Sequence, residues 1–590
     1  MFDLLADDVR IAGVVSAPAT LVHDVTTGRA WGLFAPTYAI RDDRGLAAGD
    51  VTSLEKLGQF AAGLGASSLA TLPLLAEYAR VDGGAPRQHP YSPLSRMYWN
   101  EAYLDLARVE ALVVGDARPV TQPLVQPGAR HAERRHADLA DVASSARPEL
   151  DRLLGLLDHG GGRQLEAFED FRTTHRDLER YARFRAASEC AGADRSKWPE
   201  DWKHGAIGPE DVPGAVVRRH AFAQWAMETQ LGDVAASLSR SGCGLLMDLP
   251  IGCARDAYDP WAYPEVYVQG ASIGAPPDEF FSSGQDWGFP PPHPFADRSA
   301  GYPVFRACLQ HNLRHSAALR VDHILGWSRL WWIPESFAAH EGAYIRYPLD
   351  ELLAVANLEA WRHSATLIGE DLGTVERGLR PKLHSHGVSG MSVAVFDLSG
   401  ATSRPLRADE HTVAYVDTHD TATWAGWLRG SDISLRRDLD LLDDQEASDE
   451  QARRSAARDA LRRRMAKMLP AERRAATKHL AGDRKTGDSK TGDNKAGDTG
   501  TDERITDDEI LEALEVVLAE LGSSRAPLVL VPAEDLWCET DPQNVPGTVD
   551  EHENFSRRFA QTIDDMREDP RLKSILGTLH RARHDEQRSS

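Results

Sequence analysis

The sequence predicts a (β/α)8 barrel, and three observations carry that prediction. Eight apolar runs of strand length recur along the 590 residues, separated by stretches with helical spacing. Several runs end in a carboxylate or an acid–imidazole pair, as barrel strands do when they deliver side chains to their C-terminal face. The acids at three of these tips, Asp322, Glu370 and Asp420, stand 48 and 50 residues apart, room for one or two βα units between neighbours.

Residues 1–20 read as a lead-in, and residues 21–590 as one catalytic domain. The first strand runs from Ala30 to Phe34 and ends in the Ala35-Pro36-Thr37 turn. Helical spacing over Leu54–Leu64 and a second run, Ser68 to Leu74, set a βαβ rhythm that favours a parallel sheet. Residues 90–240 then read as an insertion. It opens on an aromatic, proline-broken loop, Tyr91 to Asn100, and continues in helical patterns such as Gln164–Arg185 and Val217–Ser237. Its Trp and Tyr residues are expected to pack helices, Tyr91 excepted.

Gly244 to Pro250 is the third strand and carries Asp248 at its tip. Residues 251–300 form a second insertion, rich in Pro, Gly and aromatics, that reads as a long substrate loop. A structureless stretch of that length is functional or disordered, and its aromatic content argues against disorder. Trp and Tyr faces suit sugar rings, whose C–H surface is apolar while their edges hydrogen-bond.

The fourth strand, Ala318 to Val321, ends at Asp322-His323. Arg320, two residues before Asp322, is expected on the same face, where its charge would keep the carboxylate ionised, as a nucleophile requires. Taken alone, this hexapeptide also fits an edge strand closing on an ordinary salt bridge; the two further acidic tips weigh against that. The fifth strand ends at Glu370, and its neighbour Asp371 should point the other way and be structural. Val393–Phe396 reads as the sixth strand and Val413–Asp417 as the seventh, with Thr418-His419-Asp420 at its tip. Residues 432–478 are charged and helical, and Pro527–Pro532 is the eighth strand. Within residues 481–505, a Gly-Asp-x-Lys unit recurs every five residues with nothing apolar to anchor it. That spacing fits no calcium loop and reads as a disordered, solvated surface loop.

Composition narrows the function. With 67 basic and 90 acidic residues the net charge is −23, which argues against nucleic acid or an anionic membrane and suits a neutral substrate. No run approaches 18 uninterrupted apolar residues. Five scattered cysteines without a C-x-x-C pair, and an acidic N-terminus without a basic leader, suggest a reducing cytoplasm and no zinc site. There is no Gly-rich phosphate loop after a strand and no transition-metal ligand cluster, so no cofactor and no metal are expected.

Nine motifs, in order between Trp31 and Phe559, resemble the 4-α-glucanotransferase family of amylomaltases and plant disproportionating enzymes, relatives of the α-amylase barrels. They are Thr71–Leu74, Pro90–Pro93, Met247–Gly252, Pro276–Asp278, Gly284–Gly288, Leu319–His323, Gly369–Gly373, Thr418–Asp420 and Asn544–Thr548. The resemblance implies transfer of α-1,4-glucan segments between maltodextrins, with linear α-1,4-glucans as donor and acceptor and glucose as a small acceptor. It makes Asp322 the nucleophile that forms a covalent glucosyl-enzyme and Glu370 the general acid, then base. Asp420 would stabilise the oxocarbenium-like sugar. A retaining pair needs carboxyl groups about 5 to 5.5 Å apart. Arg320, His323 and His419 would bind the reacting sugar, with Tyr91, Trp287, Phe396 and Asn544 nearby. Phe396 has barrel core as its plainer reading, and Asp248 that of orienting its neighbours.

The chain departs from the family pattern at Ile324 and Leu325, where many members have Phe-Arg, and at Thr421, Gln543 and Phe555. Some of these variants resemble a bacterial subgroup with extra N-terminal domains, which are not expected here because the match begins near the start. A hydrolase with the same acids is the first alternative, since acceptor choice rests on how loops exclude water. A silent glycan-binding protein is the second, and retention of all three acids speaks against it.

Overall fold

The computed structural model describes residues 2–6, 9–21, 29–77, 89–115, 134–277, 283–400, 404–468, 505–549 and 551–584. Eight strands lie in one parallel sheet: β1 (Ala30–Phe34), β2 (Ser68–Ala70), β3 (Gly244–Leu249), β4 (Ala318–Val321), β5 (Thr366–Gly369), β6 (Gly390–Val393), β7 (Thr412–Tyr415) and β8 (Leu528–Pro532). β8 returns to pair with β1, and a parallel bridge between Ile368 and Ser389 joins β5 to β6, closing the barrel. Such strands are covered on both faces, so they read as continuous apolar runs; every residue of β8 is buried.

β6 begins three residues earlier than the sequence suggests. The apolar run Val393–Phe396 straddles the strand end and the first turn of a helix, Ala394–Ser399, a boundary that periodicity cannot locate over four residues. Phe396 therefore rides on a helix just past the strand tip and is 47% exposed, which removes its barrel-core reading.

The expected long loop after β3 is structured. Its strands Ala271–Ala275 and Gln285–Phe289 join Arg329–Pro334 and Ala343–Arg346, from beyond β4, in a four-stranded antiparallel sheet. Ile273, Phe289 and Leu330 form its own apolar core, with Trp287 and Trp332 packed against it. Between β2 and β3 run the helices Leu106–Val114, Leu139–Gly160, Gly162–Thr174, Leu178–Ala191 and Gly214–Arg240. The single pattern over Gln164–Arg185 is thus two helices, broken around His175. The Trp and Tyr residues here do pack helices: Tyr98 stacks on Tyr181 at 3.7 Å, and Trp99 is buried.

Near the start of the sequence the strands Phe2–Ala6 and Val9–Val14 pair antiparallel, and Leu21 N–H donates to His386 O at 3.1 Å. The Gly-Asp-x-Lys repeat and Asp278 lie outside the described residues. Among the described residues no helix is long and apolar enough to cross a membrane.

Candidate active site

Asp322 directly follows β4 and Glu370 directly follows β5. Asp322 N–H donates to Leu249 O at 3.0 Å and Glu370 N–H to Val321 O at 2.9 Å, so the parallel register continues one residue beyond the strands. The two carboxyl groups therefore leave adjacent tips in step. His323 then takes a left-handed conformation, φ 45° and ψ 56°, which is costly for a residue with a Cβ. That turn aims its backbone N–H at Glu370 Oε2, 3.0 Å away, while Leu372 N–H donates to Oε1 at 2.6 Å. Gly369 is required beside this turn, because a Cβ there would lie 2.6 Å from the Ile324 side chain. Asp371 points away from the mouth, buried, accepting from Arg380 Nε at 2.6 Å and Met391 N–H at 2.9 Å.

Arg320 does lie on the face of Asp322, but its closer bonds go elsewhere. Nη1 donates to Asp248 Oδ2 at 2.7 Å and Oδ1 at 2.8 Å, and to Asp322 Oδ1 at 3.2 Å. Tyr91 OH donates to Asp248 Oδ2 at 2.6 Å. With both oxygens engaged and 3% exposure, Asp248 is a clamp on Arg320 and Tyr91 rather than a sugar contact.

The Tyr91 ring stacks on His419 at 4.8 Å and 10°. His419 Nε2 stands 3.2 Å from Asp420 Oδ2, and Asn544 Nδ2 donates to Asp420 Oδ1 at 2.7 Å. Trp287, on the small sheet, meets His323 edge-on at 5.2 Å. Tyr91, Asp248, Arg320, Asp322, His323, Glu370, His419, Asp420, Asn544 and Trp287 thus form one connected site. Phe396 stands apart from these contacts. Beside Asp322 and His323 lies a largely apolar cavity walled by Tyr267, Trp327, Leu330 and Tyr347.

Two aromatics here were not among the site residues the sequence suggested. Phe34, the last residue of β1, stacks on His419 at 6.1 Å, and the strand-tip rule that singled out the acids would have found it. Phe555, in a left-handed turn at φ 53°, lies 5.9 Å from Tyr91 and 6.2 Å from His419; its segment carries no strand signal. Two further departures from the family pattern, buried Gln543 and partly buried Thr421, are supports. Gln543 accepts from Tyr38 OH at 2.9 Å and donates to Glu534 Oε2 at 2.9 Å. Thr421 Oγ1 accepts from Thr418 N–H at 2.9 Å and closes the turn that carries His419 and Asp420.

The environments separate the acids. Burial pushes the Asp322 carboxyl up to about 6, against the opposing pull of Arg320. Burial raises Glu370 to about 7, with Arg320 opposing and the Asp322 charge adding to the rise. Arg320 thus tempers the effect of burial on Asp322 without cancelling it; the carboxylate is still mostly ionised at neutrality. Withdrawal from water also pulls Asp420 up, but His419 and Asn544 outweigh it and hold this carboxyl well below the usual range. Burial lowers His323 to about 4, which leaves it neutral. Titrating groups set apart in this way mark functional sites.

A sequence model of one family, described as 4-alpha-glucanotransferase, matches residues 35–563. The chain belongs to the 4-alpha-glucanotransferase family. The 4-alpha-glucanotransferase of Mycobacterium tuberculosis is 36% identical over 469 residues, covering 76% of this chain and 64% of the relative. The chain therefore spans just under two thirds of the length of that curated relative. The amylomaltase of Corynebacterium glutamicum is 25% identical with a TM-score of 0.73, covering 94% of this chain and 75% of that one. An amylomaltase of Streptococcus agalactiae, solved in complex with acarbose, has a TM-score of 0.69 at 19% identity over 94% of this chain and 99% of its own, a likeness of fold.

Proposed function

We propose that this chain moves α-1,4-glucan segments between maltodextrins by a retaining double displacement, with linear α-1,4-glucans as donors and acceptors and glucose as a small acceptor. The observation that carries the reading is the pair Asp322 and Glu370 on adjacent strand tips, the first mostly ionised at neutral pH and the second still partly protonated. One group can attack while the other holds a proton, the division that retention of configuration requires.

In this reading an Asp322 oxygen attacks the anomeric carbon as Glu370 gives its proton to the departing glycosidic oxygen. The C–O bond to the leaving chain breaks and an ester to Asp322 forms. Glu370, now a carboxylate, takes the proton of the acceptor hydroxyl, whose oxygen displaces Asp322 and restores an α-linkage. The backbone N–H groups of His323 and Leu372 hold Glu370 in place through both steps. Asp420 stays anionic throughout, suited to a sugar that becomes positively charged in each transition state. His323, neutral and set against Trp287, would offer a hydrogen bond without competing for Asp322's negative charge. Sugars supply both donor and acceptor, so no nucleotide or redox cofactor enters. Family membership supports transfer over hydrolysis, and the acarbose complex of the streptococcal amylomaltase supports an α-glucan ligand.

The test is a time course with maltotriose as the sole substrate and Asp322→Ala as control. Glucose together with a ladder of longer maltodextrins, at constant total reducing ends, is the expected result. Rising reducing ends without longer products would make the chain a hydrolase.

A further inference from the structure

Beneath Asp420 and Asn544 lies a second pair of acids that the reaction does not use. Asp417 follows β7 and is 3% exposed; Asp535, in the turn Ala533–Trp537 after β8, is 0% exposed. Their side chains lie within hydrogen-bonding reach of each other. In each, the oxygen Oδ2 is buried and receives no donor. Asp535 Oδ1 is occupied by Trp424 N–H at 2.9 Å. Arg557, whose charge opposes the pair's, is itself engaged by Glu534 and by Glu539 at 3.2 Å, and Glu534 adds negative charge beside the pair. Two bare carboxylates in contact in such a place would repel, whereas one proton between them gives both orphan oxygens a partner.

The position of this pair is what gives it a task. Asp417 roots the turn that presents His419 and Asp420. Asp535 caps the helix Trp424–Arg429 that follows that turn, and its neighbour Glu534 holds Gln543, next to Asn544. The β7 and β8 loops are also tied by Thr423 Oγ1 donating to Glu539 O at 2.6 Å, and they meet at the mouth where Asn544 binds Asp420.

We propose that Asp417 and Asp535 share one proton, and that this acid–carboxylate bond positions the β7 and β8 loops so that Asp420 and Asn544 meet over the sugar. Burial, the partner's charge and Glu534 all favour keeping the proton, so it stays on the pair well above the ordinary carboxylate range and belongs to both residues together. Losing it places two like charges in contact and pushes the loops apart. Neither residue touches the sugar; both act through Asp420 and Asn544.

The sugar readout rests on the glucan reading above, so two measurements are paired. Both use Glu370→Gln, which removes the catalytic acid whose own titration would shape the alkaline side. In that background, calorimetric affinity for maltoheptaose is expected to weaken tenfold or more from neutral to alkaline pH. Adding Asp417→Asn, whose amide donates at every pH, keeps neutral affinity and abolishes the alkaline loss. Adding Asp417→Ala weakens binding throughout. An alkaline loss that persists in the Asn variant, or Ala behaving like Asn, overturns the proposal. Should Asp417 variants fail to fold, Asp535→Asn carries the same expectations. Independently of sugar, infrared difference spectra at mildly alkaline pH should show a protonated-carboxyl band in Glu370→Gln that Asp417→Asn removes. Absence of that band refutes the shared proton. A band without maltodextrin binding at any pH refutes the glucan reading and the positioning role built on it.

Discussion

On the β4–β5 side of the barrel mouth burial outweighs its opponents, whereas on the β7–β8 side local donors outweigh burial. Asp322 and Glu370 are 18% and 13% exposed and rise to about 6 and about 7. Asp420 is 45% exposed and has a donor on each oxygen, His419 and Asn544, and it falls. The cation that would make the two sides alike, Arg320, bonds more closely to Asp248 than to Asp322. Chemically identical carboxyls on one rim are thus given separate tasks by where the donors are committed.

The largest effects should come from removing the two groups on the first side. Asp322→Ala should lower kcat by on the order of 10⁴-fold or more, as for other nucleophiles. Glu370→Gln should cost about 10²- to 10⁴-fold with maltodextrin donors. With an α-maltosyl fluoride donor, whose leaving group needs no proton, the ester-forming step should be nearly unimpaired in Glu370→Gln and absent in Asp322→Ala. Equal losses for both variants on the fluoride would erase the division between nucleophile and acid.

Asn544→Ala probes the other side. It strips one of the two donors from a charged carboxylate, a bond worth about 1.5 to 3 kcal/mol, so kcat/KM should fall roughly 10- to 100-fold. The pH profile sharpens the comparison. Asp322 must be ionised and works above its pKa; Glu370 must be protonated and works below its own. The acid limb should therefore stand near 6 and the alkaline limb near 7 in the wild type. Asn544→Ala raises the Asp420 pKa from a lower starting point, so the acid limb should stay where Asp322 sets it. A limb that moves with Asn544 would assign it to Asp420 instead.

What the sequence disclosed follows from the same geometry. Strands of a parallel barrel are apolar on both faces, and the acids leave them at the tip, so runs such as Ala365–Glu370 display strand and site together. Ala271–Ala275 could not be read this way, because its partner Arg329–Pro334 lies beyond β4 and the stabilising contacts are long-range. Asp417 and Asp535 are invisible for a related reason: each alone is an ordinary acid after a strand, and only the fold brings them together. Asp248 was placed at the mouth by its strand tip, but its engagement depends on Tyr91, which comes from a distant loop.

Stability gives a smaller contrast. A carboxyl whose pKa is raised on folding binds its proton more tightly in the folded state. Stability therefore falls as pH rises from the unfolded value, 3.8 for Asp322, to the folded value of about 6, and the deficit persists above it. Asp322→Asn removes that deficit, and at mildly alkaline pH should unfold at a higher temperature than the wild type, by an amount equivalent to about 2 kcal/mol or less. The gain should vanish in acid, below both values. For Asp420, lowered rather than raised, substitution by Asn should bring no such gain.

The smallest change expected is Tyr91→Phe, and it tests whether the two sides are separate. It keeps the ring that stacks on His419 and removes the hydroxyl that donates to Asp248. A lost hydrogen bond to a buried charge costs about 1 kcal/mol or somewhat more in stability, since Asp248 keeps both contacts from Arg320. Asp248 then carries more unshared negative charge and draws harder on Arg320, and both changes raise the Asp322 pKa. The acid limb of kcat/KM should move to higher pH by a fraction of a unit, with the alkaline limb nearly still. If the rate falls severalfold with the acid limb unmoved, the hydroxyl acts by anchoring the ring that packs on His419, and the two sides of the mouth are joined by that ring rather than divided at Asp248.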